Sequence, residues 1–381
     1  MNPWERATSA LRAPLVAVDL DAFDANADDL VRRAGGLPIR VASKSVRCRA
    51  LLDRVLARPG FTGVMAYAVP EAAWLAASGV RDVFVAYPSA DVEALRSVAT
   101  DPDLRREVTV TVDSVEHVRF LRDALGDDAA GLGVALDVDA SLRLGPVHLA
   151  VRRSPTRTPT EALAVVRAAA GVGLDVRGLM FYDAQVAGLP DTGPHVRLLK
   201  RRSVRDLRDR REAVVDAVRG EVDLRFVNAG GTGSLHRFAR DPVVTELAAG
   251  SGLYAPTLFD RYDDFSPRPA MAFALPVVRR PARGVVTAHG GGYVASGEPG
   301  WSRVPSPVRR GLALVRTEAA GEVQTPLHGR DADGLAVGDR VWMRGAKAGE
   351  LLERFDTVHL VRAGELVDSV PSYRGEGRNF G

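Results

Sequence analysis

Between residues 21 and 262, short apolar segments alternate with longer amphipathic ones, and most of the apolar segments are hydrophobic throughout rather than at every second position. Uninterrupted apolar character is typical of parallel strands that are buried on both faces. The segments between them, such as PEAAWLAASG (70–79) and SVEHVRFLRDALG (114–126), have the spacing of amphipathic helices. The pattern therefore predicts a (β/α)8 barrel. Its eight predicted strands are IRVAS (39–43), GVMAY (63–67), DVFVAY (82–87), VTVTVD (108–113), GLGVALDVD (131–139), GLMFYDA (178–184), LRFVNAG (224–230) and ELAAGSGL (246–253).

The pattern changes near residue 263, where the segments become short, rich in β-branched residues and interrupted by glycine and proline. Such segments predict a compact antiparallel β domain. We therefore place the barrel at residues 21–262 and the β domain at 263–381. The segment PLVAVDL (14–20) precedes the first barrel helix, so we expect residues 1–20 to provide a strand to the β domain.

Composition and charge exclude several classes of protein. Of the 381 residues, 46% are hydrophobic and 26% charged, which is typical of a globular protein. The 51 basic and 48 acidic residues are interleaved, so no nucleic-acid-binding face is expected. No apolar segment reaches the roughly 18 residues of a membrane span, and the N-terminus lacks a signal-peptide pattern. A single cysteine excludes an internal disulfide, and a cytoplasmic location is the simplest expectation.

The rarity of lysine draws attention to Lys44. The chain has only three lysines, Lys44, Lys200 and Lys347, and otherwise uses arginine as its cation. Lysine can become a neutral amine in a protein, whereas arginine cannot. Lys44 ends the first predicted barrel strand, which is where barrel enzymes place their chemistry. A neutral amine at this position can form a Schiff base with a carbonyl compound.

Two glycine-rich segments follow the last two predicted barrel strands. They are NAGGTGS (228–234) and AGSG (249–252), and they contain the hydroxyl groups of Thr232 and Ser251. Glycines allow backbone N–H groups to approach an anion closely, and barrels commonly bind phosphate after strands seven and eight. With Lys44 and with Arg143 after strand five, these segments predict a site for pyridoxal 5′-phosphate.

Several segments resemble a known family. They are VDLDAFDANADDLVRRA (18–34), IRVASKSVRC (39–48), RLG (143–145), FYDAQVAG (181–188), GGTGS (230–234), TELAAGSGLY (245–254) and LHGRDADGLAVGDRV (327–341). Together they resemble the fold-type III pyridoxal-phosphate enzymes, the alanine-racemase-like barrels. Within that group the chain is similar to D-threonine aldolase, D-serine dehydratase and bacterial proteins described as amino acid deaminase/aldolase. The resemblance extends over nearly the whole chain.

The resemblance implies roles for individual residues. Lys44 would hold the cofactor as a Schiff base and then act as a base. Arg143 would approach the phenolic oxygen of the cofactor, and Asn228 its ring nitrogen. Tyr182 would contact the cofactor and, with Gln185, line the substrate pocket. The phosphate would be bound by Gly231, Thr232, Gly250, Ser251 and Gly252. Further candidates for substrate contact are Tyr254, His289, His328 and Lys347.

The resemblance also implies a homodimer with shared active sites. In this family the β domain of one subunit closes the barrel of the other. The segment HGGGYVASG (289–297) would then contribute to the active site of the partner subunit.

One departure from the family concerns metal binding. The aldolase and dehydratase have a His followed two places later by Cys or Asp, shortly after a GD-x-V segment. Here the segment is GDRVWMRGAKAGE (338–350), and Gly345 and Lys347 occupy the two positions. Neither glycine nor protonated lysine binds a divalent ion, so no metal is expected. Lys347 could supply a positive charge to the substrate β-hydroxyl instead.

The favoured function is a pyridoxal-phosphate-dependent lyase that acts on D- or β-hydroxy-α-amino acids by retro-aldol cleavage or β-elimination, without a metal. Three alternatives stay open. A racemase or epimerase would need a second base, for which Tyr293 is the candidate. A non-catalytic pyridoxal-phosphate-binding protein is disfavoured by the additional β domain. A barrel that uses Lys44 without a cofactor, as in sugar aldolases, is the third.

Overall fold

The computed structural model describes residues 2–145, 147–149 and 151–381. Strands and helices alternate as far as Ala249, and strands predominate after Met271. The strands in these ranges are β1 (Leu15–Asp19), β2 (Ile39–Ala42), β3 (Phe61–Ala66), β4 (Val83–Val85), β5 (Val108–Val112), β6 (Gly133–Asp137), β7 (Leu142–Leu144), β8 (Val147–Leu149), β9 (Asp175–Phe181), β10 (Phe226–Ala229), β11 (Glu246–Ala249), β12 (Met271–Ala282), β13 (Val285–His289), β14 (Ser306–Pro307), β15 (Ala313–Leu314), β16 (Gln324–His328), β17 (Arg340–Arg344), β18 (Thr357–Arg362) and β19 (Glu365–Pro371). The α-helices are α1 (Pro3–Ala7), α2 (Leu20–Ala34), α3 (Arg49–Leu56), α4 (Val69–Ala77), α5 (Val92–Thr100), α6 (Pro102–Glu107), α7 (Val115–Leu125), α8 (Pro159–Gly171), α9 (Ala184–Ala187), α10 (Pro194–Arg219), α11 (Leu235–Phe238) and α12 (Ser251–Tyr254). Short 3₁₀ turns cover Ser43–Ser45, Gly126–Ala129, Thr257–Arg261, Trp301–Arg303, Ala332–Gly334, Gly349–Arg354 and Arg374–Glu376.

Eight parallel strands close into a barrel. Its strand order is β2, β3, β4, β5, β6, β9, β10 and β11, and β11 pairs with β2 again. The antiparallel hairpin of β7 and β8 interrupts the alternation between β6 and α8. The predicted fold class, a (β/α)8 barrel followed by a β domain, is confirmed.

Local sequence explains where these elements begin. All residues of β5 and β6 are buried, as expected for parallel strands covered on both faces. Helix α7 begins after Ser114, whose hydroxyl accepts a hydrogen bond from the backbone of His117. Helix α8 begins with a capping box formed by Thr158 and Glu161, followed by a proline in its first turn.

The barrel interior contains a cluster of large and small apolar side chains. Phe84 and Phe226 lie with their ring centroids 5.2 Å apart, and Met180 packs in the same cluster. A Cβ on Gly178 would lie 2.4 Å from the Phe226 ring, so glycine is required there. Tyr87, just after β4, packs against this cluster and is thereby positioned at the carboxyl ends of the strands.

A buried ion pair joins the first and last barrel strands. The Arg40 Nε of β2 donates to the Glu246 Oε1 of β11 over 2.7 Å. Arg40 Nη2 also donates to Asp82 Oδ2, just before β4, over 2.9 Å. The Arg40 side chain is 1% exposed, so these carboxylates compensate a charge that would otherwise be very costly to bury.

The remaining strands form a mixed β-sheet with the strand order β15, β16, β13, β12, β1, β18 and β19. Strand β17 pairs with β12 and with β14. The N-terminal strand β1 lies inside this sheet, antiparallel to β12 and parallel to β18. Trp4 and Trp342 stack beside it with their ring centroids 5.8 Å apart.

The chain forms two compact units. The barrel unit contains Leu30–Lys44, Val55–Gly250 and Phe380–Gly381. The β-sheet unit contains the N-terminal segment that ends at Asp29, together with Ser45–Arg54 and Ser251–Asn379. In the described ranges, no helix combines the length and the apolar character needed to cross a bilayer.

Candidate active site

Lys44 lies at the carboxyl end of β2, in the short 3₁₀ turn that follows this strand, and its side chain is exposed. Its Nζ donates a hydrogen bond to the Tyr87 hydroxyl over 2.7 Å. The same nitrogen lies 5.2 Å from the centroid of the Tyr87 ring. The structure therefore presents an accessible amine at the end of the barrel, oriented by a phenol from a neighbouring strand.

Two aromatic rings flank the guanidinium of Arg153, which follows the β7–β8 hairpin. Its central carbon lies 4.7 Å from the ring centroid of Tyr182 and 5.7 Å from that of Tyr87. Burial raises the pKa of Tyr182 to about 12, although Arg153 acts in the opposite direction. The Tyr182 hydroxyl therefore stays protonated at neutral pH and can donate a hydrogen bond.

Asp137, the last residue of β6, is a buried carboxyl with an unusual proton affinity. Its side chain is almost inaccessible to solvent. Burial raises its pKa to about 7, Arg153 acts to lower it, and Asp113 and Asp139 raise it further. Because it titrates near neutral pH, this carboxyl is able to accept and return a proton.

The glycine-rich turn after β10 has a defined shape. Gly230 has a φ of +78°, a conformation that glycine adopts without strain. A Cβ on Gly231 would lie 2.9 Å from the Ala187 Cβ in α9 and 3.9 Å from the Tyr182 ring. The backbone of Gly231 donates to the Ser234 hydroxyl over 3.1 Å. The turn therefore lies against Tyr182, with space for no side chain at Gly231.

Gly231→Ala is expected to weaken cofactor binding about tenfold, because the new methyl group forces the turn or α9 to shift. The measurement is a titration of the protein with pyridoxal 5′-phosphate, followed by absorbance. Gly171→Ala in α8 is the matched control, since a Cβ there meets no atom within 4 Å. Equal affinities of the two variants would contradict a role of the Gly231 turn in phosphate binding.

Other predicted residues of the barrel unit have different surroundings. Arg143, on β7, is 43% exposed and its Nη2 lies 2.8 Å from Asp139 Oδ2. Gln185 is buried in α9, where its Nε2 donates to the Ala140 carbonyl over 2.7 Å. The Asn228 Nδ2 donates to Glu246 Oε1 over 2.8 Å, which joins this amide to the buried ion pair of Arg40. Their cofactor and substrate roles stay predictions.

The two predicted phosphate segments also contain residues outside the Gly231 turn. Thr232 is buried, and its carbonyl accepts a hydrogen bond from Arg33 Nη1 over 2.7 Å. Gly250 directly follows β11 and is the last residue of its segment in the barrel unit. Ser251 and Gly252 begin α12 and belong to the β-sheet unit.

The remaining predicted residues lie in the β-sheet unit. Tyr254 is fully buried, and its hydroxyl donates to the Val46 carbonyl over 2.8 Å. His289 pairs with Gln324, and His328 with Val285, so the two histidines lie at opposite ends of the β13–β16 ladder. Lys347 is partly exposed, and it contributes to lowering the pKa of Glu350 against the effect of burial.

No group of three or more His, Cys, Asp or Glu side chains that could hold a metal ion occurs within residues 2–145, 147–149 and 151–381. Gly345 and Lys347, which the resemblance predicts to stand at the positions of metal ligands, lie between β17 and the 3₁₀ turn Gly349–Arg354.

Sequence reasoning did not single out two residues of the Lys44 cluster. Tyr87 ends the predicted strand DVFVAY, so its place at a strand terminus was a usable signal. Arg153 stands in VRRSP, after a hairpin that the hydrophobic pattern did not predict. No feature of the sequence pattern indicates that this arginine lies beside Tyr182 and Tyr87.

The fold and the strand-end lysine define a (β/α)8 barrel protein with a separate β-sheet unit. Residues 18–257 match the family described as alanine racemase, N-terminal domain. The chain therefore belongs to this family, which confirms the predicted membership among the alanine-racemase-like barrels.

The relatives include proteins of the predicted aldolase and dehydratase branch. A 3-hydroxy-D-aspartate aldolase of Paracoccus denitrificans (strain Pd 1222) is 24% identical over 270 residues, which cover 67% of this chain and 64% of that protein. The crystal structure of D-threonine aldolase from Filomicrobium marinum has a TM-score of 0.79 at 22% identity, covering 96% of each chain. D-threo-3-hydroxyaspartate dehydratase from Delftia sp. HT23 has a TM-score of 0.77 at 18% identity, covering 96% of this chain and 98% of that one. The match thus spans less than two-thirds of the curated relative's length, and the structural likeness concerns the fold.

Proposed function

We propose that this chain is a pyridoxal-phosphate-dependent lyase that cleaves β-hydroxy-α-amino acids of the D configuration by a retro-aldol reaction. The observation that carries the proposal is the Lys44 amine, exposed at the end of β2 and hydrogen-bonded to Tyr87, in a chain of the alanine racemase N-terminal domain family. The curated aldolase relative supports lyase chemistry on a β-hydroxy-α-amino acid.

The residues of the barrel unit fit the cofactor. Lys44 offers an accessible amine for a Schiff base. The turn at Gly231 is a cradle that a Cβ would fill, and the Tyr182 ring lies against it. Lys44, Gly231 and Tyr182 would hold the aldehyde, phosphate and ring ends of the cofactor, which supplies an electron sink for bond cleavage at the α-carbon.

The chain's own residues provide the proton transfers. The Lys44 amine can accept or return a proton at the substrate α-carbon. The Tyr87 hydroxyl orients this amine through the 2.7 Å hydrogen bond. Asp137, with a pKa of about 7, supplies a second group that can hold a proton at neutral pH. Retro-aldol cleavage also requires the β-hydroxyl to give its proton to a base. We propose that this occurs without a metal, with the ionised form of Asp137 as the proton acceptor and Lys347 as the cation in place of the metal.

The proposal also includes a homodimer with shared active sites, in the cytoplasm, on the basis of the family resemblance. In it, residues 289–297 of each subunit complete the site of the other. Among substrates, 3-hydroxy-D-aspartate and D-threonine are the first candidates, because the relatives carry activities on these compounds in their names.

A product analysis tests the proposed reaction. With 3-hydroxy-D-aspartate, retro-aldol cleavage yields glyoxylate and glycine in equal amounts, whereas β-elimination yields oxaloacetate and ammonia. We expect glyoxylate and glycine, at a rate unchanged after incubation with a chelator. Oxaloacetate and ammonia would show a dehydratase, conversion between D and L isomers a racemase, and a rate restored only by a divalent ion a metal-dependent enzyme.

A further inference from the structure

The Arg153 guanidinium differs from its neighbouring arginines in its partners. Arg143 Nη2 and Arg157 Nη1 lie 2.8 Å and 3.0 Å from the same Asp139 carboxylate oxygen. Arg153 makes no hydrogen bond and no ion pair with any residue in the part of the chain that the structure describes, and it lies instead over Tyr182 and Tyr87. Its hydrogen-bond donors thus remain available to a ligand.

The position of Arg153 connects it to the reactive amine. Lys44 Nζ lies 5.2 Å and the Arg153 central carbon 5.7 Å from the centroid of the same Tyr87 ring. Both cations therefore lie beside one aromatic ring. An amino acid that reacts at Lys44 has its carboxylate groups only two or three bonds from its nitrogen, which makes Arg153 a candidate to bind one of them. The Tyr182 ring, which also contacts Arg153, extends the cluster to the Gly231 turn.

The chemistry of Arg153 identifies the ligand as a carboxylate. A guanidinium presents several donors in a planar fork that matches the two oxygens of a carboxylate. Stacking on aromatic rings restricts its orientation without using these donors. The nearby Asp137 balances the Arg153 charge only in part, because its own carboxyl is about half protonated near pH 7.

We propose that Arg153 binds a carboxylate of the amino acid substrate and positions it against the Lys44 amine. This inference rests on the proposed function for the identity of the substrate. The carboxylate is either the one common to all α-amino acids or the additional one of an acidic side chain, and binding measurements separate the two.

The test compares D-aspartate, D-asparagine and D-alaninamide as ligands of the full chain prepared with pyridoxal 5′-phosphate, with dissociation constants determined by calorimetry. Asparagine differs from aspartate only in its side-chain carboxylate, and alaninamide has no carboxylate. For Arg153→Gln we expect affinity for D-aspartate to fall about 10- to 100-fold. Arg153→Lys should recover part of this loss, because it keeps the charge but not the fork.

The pattern across the ligands shows which carboxylate is bound. A loss for D-aspartate alone assigns the side-chain carboxylate, and an equal loss for D-aspartate and D-asparagine assigns the α-carboxylate. In both cases D-alaninamide binding should be unchanged. A loss for all three ligands, or for none, would overturn the proposal.

Arg152→Gln is the matched control, because it removes the same charge from the adjacent exposed position. We expect it to change each dissociation constant less than twofold, and an effect equal to that of Arg153→Gln would overturn the proposal as well. Failure of the proposed function is recognised separately: the wild-type protein would then show no Lys44-dependent cofactor absorbance, whatever the calorimetry gives.

Discussion

Lys44→Arg is expected to abolish the absorbance band of bound pyridoxal 5′-phosphate and to reduce lyase activity about a thousandfold or more. Arginine keeps the positive charge at the end of β2, but its guanidinium does not lose a proton and cannot form the imine. The change therefore separates covalent attachment of the cofactor from a purely electrostatic role of residue 44. The measurements are absorbance spectra of the purified proteins and steady-state rates.

Chemical trapping gives the positive counterpart of this experiment. Reduction of the wild-type protein with borohydride should leave a pyridoxyl group on one lysine, which peptide mass spectrometry locates. We expect Lys44, and Lys347→Arg should leave both the adduct and the absorbance band intact. A pyridoxyl group on Lys200 or Lys347, or a yellow Lys44→Arg protein, would refute the assignment of the cofactor lysine.

Asp137→Asn is expected to stabilise the protein above pH 7 and to have little effect at pH 4. Burial raises the pKa of this carboxyl from 3.8 to about 7, so between these values the folded state binds more protons than the unfolded state. Stability contributed by the protonated carboxyl is therefore lost as the pH rises through this interval. At about 1.4 kcal/mol per pKa unit, the loss amounts to about 4 kcal/mol at most.

The measurement is the free energy of unfolding by denaturant between pH 4 and 8. Burial also raises the pKa of Asp183, to about 6, so this carboxyl likewise makes the protein less stable as the pH rises. Asp137→Asn should therefore reduce the dependence of the unfolding free energy on pH without abolishing it. Asp139→Asn is the control, because we expect it to change the free energy of unfolding in the opposite direction. Burial acts to raise the pKa of Asp139, but hydrogen bonds from Ser141 and Arg157 lower it overall. Its replacement should therefore destabilise the protein at neutral pH. Identical profiles for wild type and Asp137→Asn would show that the carboxyl is hydrated.

The hydrophobic pattern was sufficient for the fold because it reports burial directly. A parallel barrel strand such as β4 is covered on both faces, and its three consecutive buried residues appear in the sequence as an uninterrupted apolar segment. Lys44 could be singled out for a similar reason, since a lysine that ends such a segment stands at a strand terminus. The hairpin of β7 and β8 has strands of three residues each, too short to produce a recognisable period.

The hydrophobic pattern could not predict the contacts of individual side chains, because these contacts depend on the path of the chain in three dimensions. Arg143 and Arg153 are both exposed arginines after β6, and only the path of the hairpin decides that one pairs with Asp139 and the other lies over Tyr182. Asn228 illustrates the same limit. Its place near a strand end suggested a ligand contact, but its hydrogen bond to Glu246 depends on a residue from another strand.

The ion pair between Arg40 and Glu246 has a consequence for the order of events during synthesis. The two residues are 206 positions apart, one on the first barrel strand and one on the last. A nascent chain that ends before residue 246 contains seven of the eight barrel strands, and its Arg40 guanidinium can pair with Asp82 but not with Glu246. Such a fragment lacks the last strand and one of the two carboxylates that compensate the buried guanidinium, so we expect the barrel to become stable only after its last strand has emerged from the ribosome.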